Sequence, residues 1–171
     1  SSIEPRKNLD RLLDAYVAYR ECAKDQSLPL IVTGTPGWKS QHTHARLKKL
    51  QSDGAVHYLG YVRQQLLPAL VAGARAVLYP SLYEGFGLPI LEAMQSGTAT
   101  MTSRATSMEE IAGDASLLVN AVDTDEMAEA ISMLGSKPEV VSLLEAKGLV
   151  NAGRFSWANC ASKTIQVYRS T

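Results

Sequence analysis

Pro80-Ser81-Leu82-Tyr83-Glu84-Gly85-Phe86-Gly87-Leu88-Pro89-Ile90-Leu91-Glu92 is the stretch whose reading decides the fold. It follows a short apolar run, Ala76-Val77-Leu78-Tyr79, which reads as a buried strand ending at Pro80. Gly85 and Gly87 free the backbone for a close approach to a ligand, and Pro89 suits the first turn of a helix. That helix is expected to turn Ile90, Leu91 and Met94 inward. A helix start offers unpaired N–H groups and about half a positive charge, which suits a phosphate. Glu92, expected in the first helical turn, fits hydroxyl groups instead, because an ionised carboxylate only accepts hydrogen bonds. Phosphate beside a polyol points to a nucleotide sugar.

Outward from this stretch, helices and strands alternate. Asn8 is placed to cap a helix carrying Leu9, Leu12, Leu13, Tyr16 and Val17 at helical spacing. Residues 28–33 read as a strand closed by Gly34, which either lets a nucleotide approach closely or only turns the chain. A polar helix to about Leu50, a strand over 56–59 and a helix over 64–72 follow. After the central stretch come strands at 98–102 and 116–119, with a short helix at 108–111 between them. Asp123 with Glu126, and Ser136 with Glu139, have capping-box spacing. A last helix opens after Ser156 and carries Trp157, Ile165, Val167 and Tyr168.

This alternation predicts an α/β, Rossmann-like fold: a parallel sheet of about six strands with helices on both faces. With the strand order 3-2-1-4-5-6, the order reverses between the strand ending at Pro5-Arg6-Lys7 and the strand ending at Pro80. Ligands bind at that reversal, outside the carboxyl ends of the strands. The topology therefore brings the basic pair Arg6 and Lys7 to the glutamate-glycine loop. The two cations suit a diphosphate, Lys as a point charge and Arg as a fork; the plain alternative is a solvated helix cap.

Composition narrows the class. The chain has 171 residues, 17 basic against 17 acidic, and no charge runs, so bulk charge points to neither nucleic acid nor an anionic membrane. Two scattered cysteines, Cys22 and Cys160, favour a reducing, cytoplasmic setting. His42, His44 and His57 have no metal-ligand spacing, so no metal and no cofactor is expected. Gly85-Phe86-Gly87 is a G-x-G, but Ile90 stands where a dinucleotide fingerprint needs its third glycine, which argues against a nicotinamide oxidoreductase. The opening Ser1-Ser2-Ile3 reads as the tail of a strand. One domain over 1–171 is expected, as part of a longer protein.

Glu84 and Glu92, with seven residues between them, and the flanking Pro80-Ser81 and Gly85-Phe86-Gly87-Leu88-Pro89 resemble the donor-site motif of the family 4 (group 1) retaining glycosyltransferases. The resemblance runs from Ile3-Glu4-Pro5-Arg6-Lys7-Asn8 to Phe155-Ser156-Trp157. It implies the C-terminal, donor-binding half of a GT-B fold, the acceptor glycan or lipid-linked glycan being held by an N-terminal domain outside this chain. By the resemblance Glu84 contacts donor-sugar hydroxyls and Lys7 the diphosphate, these two being the catalytic candidates. Glu92 bridges the ribose hydroxyls. Gly85, Phe86, Gly87 and Leu88 offer amides to sugar and phosphate oxygens, with Phe86 also anchoring the loop in the core. Tyr61 and Val62 border the base, while Glu109, Glu110 and Asp114 match positions of a structural kind. Relatives carry an arginine six residues before the lysine, where this chain has Ser1. The donor implied is a GDP- or UDP-sugar used without a metal, and the opening segment is similar to bacterial surface-polysaccharide enzymes, some of them mannosyltransferases. For the full-length enzyme the resemblance implies a cytoplasmic site peripheral to the inner membrane. A nucleotide-sugar sensor without transfer is the reading from a different class.

Overall fold

The computed structural model describes residues 2–170. The strands are β1 (Ser2–Ile3), β2 (Leu30–Thr33), β3 (Thr35–Pro36), β4 (Val56–Gly60), β5 (Ala76–Tyr79), β6 (Ala99–Ser103) and β7 (Leu117–Val119). The helices are α1 (Leu9–Ala23), α2 (Gln41–Ser52), α3 (Leu67–Ala72), α4 (Leu88–Gln95), α5 (Ser107–Ala112), α6 (Thr124–Ser136), α7 (Pro138–Ala152) and α8 (Trp157–Ser170). Every strand pair is parallel, as the alternation of elements requires.

The sheet is divided, where about six continuous strands were expected. The largest sheet has three strands in the order β5-β6-β7; β2 pairs with β4, and β1 pairs with β3. β1 is two residues long and pairs with Thr35 and Pro36, and among the described residues no ladder joins it to β5. Other bonds join the halves at this seam. The Leu82 amide donates to the Arg6 carbonyl at 2.7 Å. The Asn8 side chain donates to the carbonyls of Pro80, at 3.0 Å, and Ala121, at 2.5 Å.

That use of Asn8 corrects its reading as a side-chain cap. Asn8 does stand at the N-cap position of α1, but its backbone is left-handed (φ 61°) and its buried side chain bonds none of the helix's backbone amides, its Oδ1 accepting instead from the Arg11 guanidinium at 3.1 Å. Two buried carbonyls need donors there, and a planar amide supplies two protons. Asp123 does cap α6, accepting from the amides of Asp125 and Glu126. Ser136 does not open a capping box, because it is the last residue of α6 and its hydroxyl turns back to the Ser132 carbonyl at 2.7 Å. α7 starts instead on Pro138, whose fixed φ suits a first turn.

Side chains alternate across β6. Ala99 and Met101 enter the larger core with Leu12, Leu13 and Tyr16 of α1 and Met127 and Ile131 of α6. Thr102 faces the other way, its hydroxyl on the Tyr79 carbonyl and beside the Met108 sulfur. On that side a smaller core forms from Ile90, Leu91 and Met94 of α4 with Ile111 and Ala112 of α5. Gly148 of α7 lets that helix settle close to Met94, since a Cβ there would lie 3.2 Å from its side chain. Helices thus cover both faces, and all the strands deliver their carboxyl ends to one rim.

Candidate functional site

Glu84 is the centre of that rim. One carboxylate oxygen accepts from the Tyr79 hydroxyl at 2.7 Å and from Ser81 Oγ at 3.4 Å; the other pairs with an Arg6 guanidinium nitrogen at 2.5 Å. Its side chain is only 14% exposed. Arg6 also contacts Glu4 at 3.0 Å, and the hydrogen bond it donates to Glu84 raises the guanidinium's pKa above its ordinary value. Lys7 turns back to donate to the Ser2 carbonyl at 2.6 Å, level with Thr35 across the β1-β3 pair. Burial lowers the Lys7 pKa, and the neighbouring Arg6 lowers it further.

Burial, then the hydrogen bond to Glu84, raises the Tyr79 pKa well above the usual phenol value. A raised folded-state pKa means the stabilisation is complete below the unfolded value of about 10 and is lost as pH rises through the folded value. Tyr79→Phe should therefore destabilise by about 1–2 kcal/mol near pH 9. The gap from wild type should narrow toward pH 11, where the unfolded phenol ionises. Urea midpoints at the two pH values test this, and a constant gap would refute it.

The glycine loop owes its shape to two different demands. Gly87 has φ 117°, and a Cβ there would lie 2.9 Å from Met108 Cγ. Its carbonyl starts α4 by accepting from the amides of Ile90 and Leu91. Gly85 meets nothing within 4 Å. The Ser107 hydroxyl braces the loop by donating to the Glu84 carbonyl at 2.7 Å.

Glu92 is the fifth residue of α4, which corrects its placement in the first turn. The helix field falls off within one turn, so complementing it does not account for this carboxylate. Glu92 is exposed and makes no side-chain hydrogen bond or ion pair among the described residues. Phe86 anchors at the rim of the smaller core rather than inside it: it meets Phe155 edge to face at 5.9 Å and remains 41% exposed.

The remaining predicted residues line the same rim. Gly34, at φ 144°, donates to the Gly60 carbonyl at 2.8 Å and accepts from the Tyr58 hydroxyl at 2.7 Å. Gly60 leads directly into Tyr61, 74% exposed, and Val62. The structure thus unites Arg6 and Glu84 directly, with Lys7 alongside, and sets Gly34 beside the Tyr61 turn. It does not enclose them all in one cavity. Ser1, the position at which the resemblance implies an arginine, lies outside the described residues. Sequence reasoning missed Tyr79, Ser107 and Asn8 as supports of the loop. Tyr79 had a readable signal: a phenol closing an apolar strand needs a partner for its hydroxyl.

Among the described residues no three histidine, cysteine or acidic side chains gather to hold a metal ion. No described helix is long and apolar enough to cross a membrane.

The family model "Glycosyl transferases group 1" matches residues 1–137. The chain belongs to the group 1 glycosyltransferases. It is 39% identical over 168 residues to the O-antigen chain mannosyltransferase B of Escherichia coli, covering 98% of this chain and 44% of that protein. It is 34% identical to the MMP alpha-(1->4)-mannosyltransferase of Mycolicibacterium hassiacum, covering 96% of this chain and 40% of the relative. The fold superposes with a TM-score of 0.82 and 20% identity on Anabaena HepE in complex with UDP and glucose, over all of this chain and 47% of that one. This glycosyltransferase chain therefore spans less than half the length of those relatives. It has the Rossmann-like architecture of one half of a GT-B enzyme, as its sequence implied.

Proposed function

We propose that this domain binds a nucleoside-diphosphate sugar, GDP- or UDP-linked, for retaining transfer of the sugar to an acceptor glycan. The mannosyltransferase relatives favour mannose as that sugar and bacterial surface polysaccharide as the product. The carrying observation is Glu84 clamped by Arg6 and Tyr79 where the loop enters the open start of α4, with Lys7 beside it.

On this reading Lys7 and the amides of Gly87 and Leu88 hold the leaving diphosphate and stabilise the charge that grows on it. Arg6 adds a second cation to the phosphate edge while orienting Glu84. A carboxylate has about four acceptor sites. Tyr79, Ser81 and Arg6 occupy three on Glu84, leaving capacity for a sugar hydroxyl. Glu92 accepts from the ribose hydroxyls, and Tyr61 and Val62 flank the base near Gly34. Gly85 leaves room for the sugar, and the Phe86 amide adds a donor. The acceptor's reacting end belongs to the part of the relatives that this chain does not cover.

Calorimetry with UDP, GDP, ADP and their common sugars tests the reading. Saturable binding of at least one diphosphate supports it, and no binding by any of them defeats it. The two glutamates then separate. Glu92→Gln should weaken NDP and NDP-sugar alike by about 1–2 kcal/mol, since both carry the ribose. Glu84→Gln should spare NDP and weaken only the sugar-bearing ligand. A 2′-deoxy nucleotide should lose little more on Glu92→Gln. Full ribonucleotide affinity in a folded Glu92→Gln protein would remove Glu92 from the site.

A further inference from the structure

A solvent-open cleft of about 690 Å³ lies between residues 82–85 and residues 105–110. Its volume falls in the range of small-molecule sites, about 300–1,000 Å³. It shares a wall with the proposed donor site, because Ser107 Oγ holds the Glu84 carbonyl. We propose that this cleft is a saccharide subsite, taking the acceptor glycan's units next to the reacting end; its assignment to the acceptor rests on the donor reading above.

The lining chemistry selects the ligand. Tyr83 presents a ring 71% exposed, an apolar face for sugar C–H groups with a polar tip. The Thr106 and Ser107 hydroxyls donate to the Ser103 and Glu84 carbonyls and so offer a ligand acceptor lone pairs, while Glu109 and Glu110 contribute carboxylates that likewise accept from hydroxyl donors. Among the described residues no lysine or arginine lines the cleft. Arg6 offsets Glu84, but a phosphate, nucleotide or acidic sugar would meet the negative charge of Glu109 and Glu110, which repels an anion and not a neutral polyol.

One wall is fixed in place. Ala105 adopts a left-handed conformation (φ 57°), and its amide donates to Glu109 at 2.5 Å. Thr106 accepts from the Met108 amide at the start of α5. Glu110 has no side-chain hydrogen bond or ion pair among the described residues, so both its oxygens are available to a ligand. The cleft thus combines an aromatic platform, fixed hydroxyls and a free carboxylate one loop away from Glu84.

The test uses the chain as it is, labelled for NMR and titrated with methyl α-mannoside, α-mannobiose and α-mannotriose. Amide shifts should concentrate at residues 82–85 and 105–110 and grow with the number of sugar units. Tyr83→Ala should weaken the trisaccharide about tenfold. Glu110→Gln should weaken it about threefold. Calorimetric affinity for UDP and GDP should stay unchanged in both variants. No shifts, shifts elsewhere, or trisaccharide affinity unchanged in both folded variants would overturn the proposal. So would calcium displacing the saccharide from the same resonances, which would make the cleft a cation site. If the nucleotides fail to bind while these shifts persist, the donor reading falls and the saccharide cleft stands.

Discussion

Gly87→Ala should lower the folding free energy by about 2–5 kcal/mol, the largest loss expected of any single methyl added to the glycine loop. Two costs combine. A non-glycine residue held at φ 117° carries roughly 1–3 kcal/mol of backbone strain. The new methyl would also press on Met108 Cγ at 2.9 Å, and Met108 is completely buried. Overpacking of that kind costs about 1–3 kcal/mol. Gly85→Ala supplies the contrast, with nothing within 4 Å of its added carbon. It should stay within about 0.5 kcal/mol of wild type. On the donor reading it should nevertheless weaken the NDP-sugar more than the NDP, because the methyl fills space meant for the sugar. Urea denaturation of the two variants decides the matter. Equal stability would refute the conformational account of Gly87.

Lys7→Ala should weaken nucleoside diphosphate binding by about tenfold to a hundredfold, the loss of one charge-assisted hydrogen bond worth about 1.5–3 kcal/mol. Nucleoside monophosphate binding should change much less, since the ammonium is assigned to the distal phosphate. Desolvation lowers the Lys7 pKa, so the fold already holds this cation at a cost. Such a cost is recovered when an anion arrives. The ordinary ammonium range lies far above neutrality, and calorimetry near pH 7 compares charged lysine with alanine. Equal losses for the mono- and diphosphate would place Lys7 elsewhere in the site.

The order of elements was legible because periodicity and punctuation agree along most of this chain. Ala76–Tyr79 is a strand, α4 carries Ile90, Leu91 and Met94 inward, and Asp123 caps α6. The errors fall where tertiary partners outrank local preference. Asn8 has the right composition for a cap, yet two carbonyls from distant segments claim its amide. Ser136 and Glu139 have the right spacing, but Pro138 between them starts the helix instead. The sheet seam was invisible because pairing depends on how many residues a strand has free. β1 has only two, paired with β3, too short a segment for periodicity to place in a sheet. At the site, the residue types and their convergence could be read from the strand ends. The approach of Arg6 to the Glu84 loop was among these, and their ion pair bears it out; the Tyr79 partner was not, because its phenol is hidden in an apolar run.

The seam between β1 and β5 has a mechanical consequence. A continuous sheet carries load across its strands through a row of backbone bonds, and this one interrupts that row at the rim. The described bonds between the Arg6–Asn8 turn and the Pro80–Glu84 segment are the Leu82 amide, the Asn8 side chain and the Arg6–Glu84 ion pair. Lys7 stands on one bank and the Gly87 amide on the other. A diphosphate gripped by both would act as a strut, stiffening the molecule across the line where its own hydrogen-bond ladder stops.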